Sequence, residues 1–234
     1  MTAPTNTLSS KAETFISKVL DLKPQLAVFD CDGTLWSGDA GADFFFWEIE
    51  RGVVPPQVAE KMLARYRGYK AGQVAEVPMC GEMVTMHQGM LVSDIRRVAE
   101  EFFLERVQER IFPEMQELTA RLAEAGCEIW AVSSTNNWLI AAGVLRFGIP
   151  ETRVIAATVR CNDGYATGEL IRVPTDEGKA IAIREVIGRT PDTVFGNSRH
   201  DQAMLEIARH PFAINPNPDL ELIARERGWT IYRP

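Results

Sequence analysis

The sequence predicts an α/β protein: a doubly wound parallel sheet, a Rossmann-like core, carrying an inserted all-helical cap domain. Three observations predict it. After Pro113, short apolar runs alternate with segments of helical period to the end of the chain. Another apolar run, Gln25-Leu-Ala-Val-Phe-Asp30, stands alone near the start. Between them lies a long stretch of helical spacing with little β-branched clustering. Strand–helix alternation implies parallel strands buried on both faces. The interruption divides the chain into a core of residues 1–35 and 111–234 and a cap of residues 36–110.

Each element has its own signal. The first seven residues are expected to be disordered. Residues 11–20 place Ala12, Phe15, Ile16, Val19 and Leu20 on one helical face. Residues 25–30 read as a buried strand running into carboxylates and Gly33. Helices are expected over 40–51, 56–70, 80–90 and 93–110, punctuated by Pro55-Pro56 and by Gly68 to Gly72. A helix over 114–125 stops at Gly126. Strands follow at 128–133, 153–160, 193–196, 212–215 and 230–232. Helices at 137–147, 176–187, 200–208 and 218–227 alternate with them. Ligands of such sheets bind beyond the carboxyl ends of the strands. Asp30, Ser133 and Gly196-Asn197 all fall there, so they should meet in space.

Composition narrows the partners. A net charge of −7 and a pI near 5.1 argue against a general nucleic-acid or anionic-membrane binder, which needs clustered Lys and Arg. A small anionic substrate in a local positive pocket remains compatible. Cys31, Cys80, Cys127 and Cys161 are scattered and form neither zinc spacing nor a disulfide framework. The chain opens with no basic-then-apolar leader, and no run approaches the ~18 apolar residues of a membrane span. Together these features predict a cytoplasmic protein with no membrane or nucleic-acid partner.

The chemistry concentrates in Asp30-Cys31-Asp32-Gly33-Thr34-Leu35. One carboxylate at a strand end can attack phosphorus, and it must stay ionised to do so. A second, two residues on, is turned elsewhere by the bend at Gly33 and can protonate a leaving oxygen, for which it needs a raised pKa. Read alone, the segment also fits a solvated turn.

Four segments in order resemble the haloacid dehalogenase-like superfamily. They are Asp30 to Leu35, Ala131-Val132-Ser133, Lys179 within Asp176-Glu-Gly-Lys-Ala, and Phe195-Gly196-Asn197-Ser198-Arg199-His200-Asp201. The position of the insert resembles the phosphoserine phosphatase-like branch. The resemblance implies a phosphoric monoester hydrolase using Mg²⁺ and an aspartyl-phosphate. It implies Asp30 as nucleophile and metal ligand, and Asp32 as acid/base with its carbonyl on the metal. Ser133 and Lys179 would serve the phosphoryl group, Gly33 and Ser134 would contact substrate, and Asn197 and Asp201 would complete the metal site. Asp32 also favours phosphate esters over halides, because a departing halide needs no proton. Two alternatives stay open: a phosphotransferase using the same intermediate, and a non-catalytic relative that binds phosphate ligands.

Asn197 departs from the family pattern, which has Asp there. An amide offers Mg²⁺ an oxygen but no charge. Asn197 reads either as a tolerated variant or as the mark of a ligand-sensing relative. For the substrate, Asp39 stands nine residues after Asp30, where the branch carries an acidic residue facing an amine. Glu82 and Met83 stand where the branch has a carboxylate-binding Arg. With Trp36 and Phe44 to Trp47, the carboxylates of Asp39 and Glu82 suit a cationic head group such as choline or ethanolamine. The same aromatics also fit a cap core. His87 and His200 read as structural or surface groups.

Overall fold

The computed structural model describes residues 8–234, so the expectation for the first seven lies outside the described residues. Among the described residues seven strands form one sheet. They are β1 (Leu26–Phe29), β2 (Glu128–Asn136), β3 (Val154–Asn162), β4 (Tyr165–Arg172), β5 (Thr193–Gly196), β6 (His210–Ile214) and β7 (Thr230–Tyr232). Their order is β4-β3-β2-β1-β5-β6-β7. Every pairing is parallel except β3 with β4, which is antiparallel.

Both faces are covered, as the alternation of side chains requires. Ala27 and Phe29 of β1 and Phe195 of β5 join the apolar cluster beneath α1 (Ser10–Leu20), α6 (Pro113–Glu124) and α7 (Asn137–Val144). Val28 and Val194 face the other way, into the cluster with α8 (Glu177–Val186), α9 (Gln202–Glu206) and α10 (Pro218–Glu226). Central β1 is buried at all four positions, hence its unbroken apolar sequence.

Between β1 and α6 run four α-helices: α2 (Ala40–Glu50), α3 (Pro56–Lys70), α4 (Glu76–Thr85) and α5 (Val92–Phe102). Their entry and exit lie side by side. Phe112 N donates to Leu35 O at 3.0 Å, Ser37 N donates to Arg110 O at 3.0 Å, and Trp36 and Ile111 form an antiparallel bridge. The helices divide in their packing. Phe44 and Trp47 of α2 and Ile95 and Phe102 of α5 share the apolar cluster of the sheet. Phe45, Val54, Met62 and Met79 form a separate small cluster under α3 and α4.

Three elements differ from the sequence reading. The helix expected over 80–90 begins at Glu76, because Pro78 falls in its first turn, where no intrahelical N–H is required. The helix expected over 93–110 ends at Phe102 and continues as a π-turn (Phe103–Val107) and a 3₁₀ turn (Gln108–Arg110). Strand β4 has no counterpart in the reading. It returns from β3 through Asp163 and Gly164, both with positive φ, a two-residue hairpin turn. Among the described residues no helix is long and apolar enough to cross a membrane.

Candidate active site

The loop after β1 is bent tightly. Gly33 adopts φ +77°, a conformation costly for any residue with a Cβ. Its N–H donates to Trp36 O at 2.7 Å, and Leu35 N donates to Cys31 O at 2.8 Å. The bend turns Asp30 and Asp32 to different partners. Asp30, 5% exposed, accepts from Lys179 Nζ at 2.7 Å on Oδ1 and from Thr34 Oγ1 at 2.9 Å on Oδ2. Asp32 accepts from Trp36 Nε1 at 2.7 Å and Ala40 N at 2.8 Å on Oδ1, and from Thr135 Oγ1 at 3.0 Å on Oδ2.

Lys179 comes from α8 and is closed to solvent. Besides Asp30 it donates to Oδ1 of Asp201, which is fully buried. The other oxygen of Asp201 accepts from the backbone N–H groups of Asn197 and Ser198, each at 2.9 Å. Asp201 thus shapes the loop after β5 and anchors the lysine. Gly196 permits this approach: a Cβ there would meet Asp201 Cβ at 2.6 Å.

The electrostatics follow from burial. Burial pushes Asp30 up to about 7, Asp201 adds to the rise, and Lys179 opposes it. Enclosure pushes Asp32 up to about 6, helped by Asp39 and opposed by the three hydrogen bonds it accepts. Burial would lower Lys179, but Asp201 and Asp30 more than offset it, so its pKa lies above the ordinary lysine value.

These groups floor a cavity of about 310 Å³. Asp30, Asp32, Ser133, Ser134, Lys179 and Asn197 line it from the sheet side, and Asp39 from the start of α2. Three expected site residues stand elsewhere. Asp201 lies behind the lining, beneath Lys179. Gly33 is covered by Asn197: an added Cβ would fall 1.9 Å from Asn197 Nδ2, so its contribution is backbone shape and not a face for substrate. Glu82 points away and forms a two-pronged pair with Arg65 at 2.6 and 2.7 Å.

Other lining residues were given no site role in the sequence reading. Tyr66, Tyr69 and Lys70 come from α3, and Glu76, Met79, Cys80 and Met83 from α4. Tyr69 donates its hydroxyl to Glu76. The spacing 66, 69, 70 is that of one helical face and was the available signal. Thr135 and Asn136 extend β2 past its irregularity after Val132. His200, read as structural or surface, reaches the cavity while its Nδ1 stands 2.8 Å from Asp176. His87, by contrast, is wholly buried against Glu48.

The donor set suits a hard divalent cation. The carboxylates of Asp30 and Asp201 share the one ammonium of Lys179, an excess of buried negative charge. The candidate ligands at the cavity floor are oxygen donors: the Asp30 carboxylate, the Asp32 carbonyl and the Asn197 amide. Among the described residues no three His, Cys, Asp or Glu side chains group as a metal cluster. Such a site therefore depends on amide and main-chain oxygens as well.

Comparison with known proteins gives the family of the chain. A histidinol-phosphatase of Neisseria meningitidis is 28% identical over 221 residues, spanning 88% of this chain and 97% of that protein. The phosphoserine phosphatase SerB1 of Mycobacterium tuberculosis is 27% identical over 220 residues, 88% of this chain and 69% of that one. A Bordetella pertussis protein of unknown function shares the fold, with a TM-score of 0.78 at 22% identity over 88% of this chain and 97% of its own. The family model for haloacid dehalogenase-like hydrolases matches residues 27–206, from β1 through α9, and the chain belongs to that family.

Proposed function

We propose that the chain is a Mg²⁺-dependent phosphatase that hydrolyses a small phosphomonoester with a cationic head group, through an aspartyl-phosphate on Asp30. The observation that carries this reading is a lysine-paired carboxylate, Asp30, at the floor of one cavity with a second carboxylate, Asp32, that has no cationic partner among the described residues. An oxygen of Asp30 attacks phosphorus. The ester P–O bond breaks, its electron pair stays on the leaving oxygen, and that oxygen takes a proton from Asp32. Asp32, now a carboxylate, then takes a proton from the water that attacks the phosphoryl group. The bond to Asp30 breaks, restoring the carboxylate and releasing inorganic phosphate.

The roles follow from the surroundings. Asp30 has to be ionised; burial and Asp201 hold its pKa at about 7, above that of Asp32, and Lys179, together with Mg²⁺ when bound, would act against that rise. Asp32 has to hold a proton before the first displacement, and its enclosure without a cation favours that form. Lys179, Ser133 and Ser134 line the cavity, and their ammonium and hydroxyls would meet phosphoryl oxygens. Mg²⁺, held by Asp30, the Asp32 carbonyl and Asn197, with Asp201 behind them, would offset the charge that opposes an anionic nucleophile and an anionic ester. Helices of residues 36–110 act as a cap that excludes water and selects the leaving group.

The cavity wall favours the cationic head group. Asp39, Glu76, Tyr66 and Tyr69 present two carboxylates and two phenol rings, surroundings that attract ammonium or imidazolium. Among the described residues the cap gives the lining one cation, Lys70, and no Arg. Histidinol phosphate has an amine and an imidazole but no carboxylate, whereas phosphoserine has a carboxylate that this wall would meet with two of its own. Phosphate release is measured on histidinol phosphate, phosphocholine, phosphoethanolamine, phosphoserine and an aryl phosphate, with Mg²⁺ and with EDTA. The expected result is metal-dependent release, with the carboxylate-free cationic esters ahead of phosphoserine. No release from any ester overturns the phosphatase reading; phosphoserine in first place overturns the substrate class alone.

A further inference from the structure

We infer that Thr135 is a positioning residue for the acid/base step: its hydroxyl reserves one oxygen of Asp32, Oδ2, for the proton that passes to the leaving group. The inference rests on the phosphatase reading. It comes from counting donors. Oδ1 of Asp32 faces Trp36 Nε1 at 2.7 Å and Ala40 N at 2.8 Å. Both are N–H groups that donate and never accept. An oxygen facing two such donors carries no hydrogen of its own without leaving a buried donor unpaired, and that is costly. Among the described residues Oδ2 has one hydrogen-bond partner, the Thr135 hydroxyl, at 3.0 Å. A hydroxyl has one hydrogen and two lone pairs and turns freely between them. With the same three neighbours in place, Oδ2 can therefore be a carboxylate oxygen that accepts from Thr135, or the O–H of an acid.

Thr135 is itself held. Its N–H donates to Ser133 Oγ at 3.1 Å, tying it to a residue on the phosphoryl side of the cavity. From the cap, Gly41 lies against it: an added Cβ would stand 2.4 Å from Thr135 Oγ1. Thr135 lines the cavity, which puts its hydroxyl and Oδ2 beside the space a leaving group would occupy. In the first displacement the proton on Oδ2 goes to the ester oxygen, which also keeps the electron pair of the broken P–O bond. In the second, a proton from water returns to Oδ2. The hydroxyl of Thr135 reorients in each step and neither gains nor loses a hydrogen.

The role separates from simple packing by leaving-group dependence. An alkoxide leaving group needs a proton, while 4-nitrophenolate departs without one. The value of kcat/KM, which reports the first displacement, is measured on an alkyl phosphate and on 4-nitrophenyl phosphate. The proteins are the wild type, Thr135→Val, Thr135→Ser and Gly41→Ala. Thr135→Val is expected to lose about 10²-fold on the alkyl ester, the scale of one general acid, and far less on the aryl ester. Thr135→Ser should restore the alkyl reaction, and Gly41→Ala, which displaces the hydroxyl from the other side, should reproduce the selective loss. Equal losses on both esters, or an undiminished alkyl reaction in Thr135→Val, overturn the inference while leaving the phosphatase standing. A wild type inert toward both esters overturns the two together.

Discussion

Asp30 and Lys179 at the floor of the cavity, with Asp201 behind them, are all but closed to solvent, whereas Tyr66, Tyr69 and Glu76 on the facing wall are half-exposed. The floor is made where strands β1, β2 and β5 end and α8 begins, between the two apolar clusters that cover the sheet. The wall stands on α3 and α4, which rest on a small cluster of their own. Buried charges tolerate little displacement, because an ammonium between two carboxylates loses its compensation as soon as one partner moves. Half-exposed tyrosines and a glutamate can be exchanged or tilted at small cost. The comparison teaches a division of labour. On the proposed phosphatase reading the floor would fix the reaction, and the wall would be free to choose what is attached to the phosphate.

The largest test of that division is at the nucleophile. Asp30→Asn should cut phosphate release by at least about 10⁴-fold on every ester, the scale seen when a nucleophile is removed. Its circular dichroism should match the wild type, since an amide oxygen still accepts from Lys179. Substantial turnover in this variant would refute the covalent route. Lys179→Met strikes the same floor through stability. It leaves Asp30 and Asp201 buried without their shared cation, and the expected cost is about 3–5 kcal/mol in denaturant unfolding. A loss below about 1 kcal/mol, the range of surface pairs, would mean that the floor is wetter and looser than its burial indicates.

Floor and wall also differ in how far the sequence reveals them. Asp30, Ser133 and Asn197 announce themselves because an apolar strand followed by a polar residue has few other meanings in a parallel sheet. Lys179 sits on a helix, and it is placed by the family pattern and not by periodicity. Asp201 illustrates the limit: its motif is legible, but its position behind Lys179 depends on two backbone N–H groups that no pattern displays. On the wall, Glu82 and Glu76 are indistinguishable by type. Glu82 is turned away by Arg65, a partner seventeen residues off on another helix, while Tyr69 holds Glu76 at the cavity. Helix–helix pairing decides between them, and it is not local information. Strand β4 is a different case. Asp163-Gly164 is a strong hairpin signal, but its strand is mostly exposed and carries Gly168 and Glu169, so its composition hides it.

A gentler substitution separates wall from floor. Glu76→Gln removes one of the two carboxylates facing the head group while keeping an acceptor for Tyr69. The expected result is a drop of about tenfold in kcat/KM for cationic esters, the scale of one exposed cation contact with its ring and charge. The aryl phosphate should change little. A uniform loss across charged and neutral esters would show that Glu76 supports the floor and that the division of labour fails at this residue.

The smallest expected effect lies inside the cap, where one pair is as buried as anything at the floor. His87 Nε2 stands 2.7 Å from Glu48 Oε1, and Nδ1 stands 3.1 Å from Val84 O. Both residues are closed to solvent, and they join α2 to the end of α4. Burial alone would lower His87, but Glu48 more than compensates, so its pKa lies above 6.5. Burial raises Glu48 above 4.5. The two shifts act in the same direction. In each case the folded state holds a proton that the unfolded chain has released, so stability declines as pH rises. The decline should begin above the unfolded glutamate value, continue through the raised value of His87 and then level off. Urea midpoints measured from pH 5 to 9 should fall across that window. His87→Gln should make the profile less steep, even if it lowers stability throughout, the remaining slope coming from Asp30 and Asp32, whose raised values act in the same direction. A midpoint that rises with pH would mean the pair is not protonated as its two hydrogen bonds require, and that this joint of the cap is less fixed than the floor beneath it.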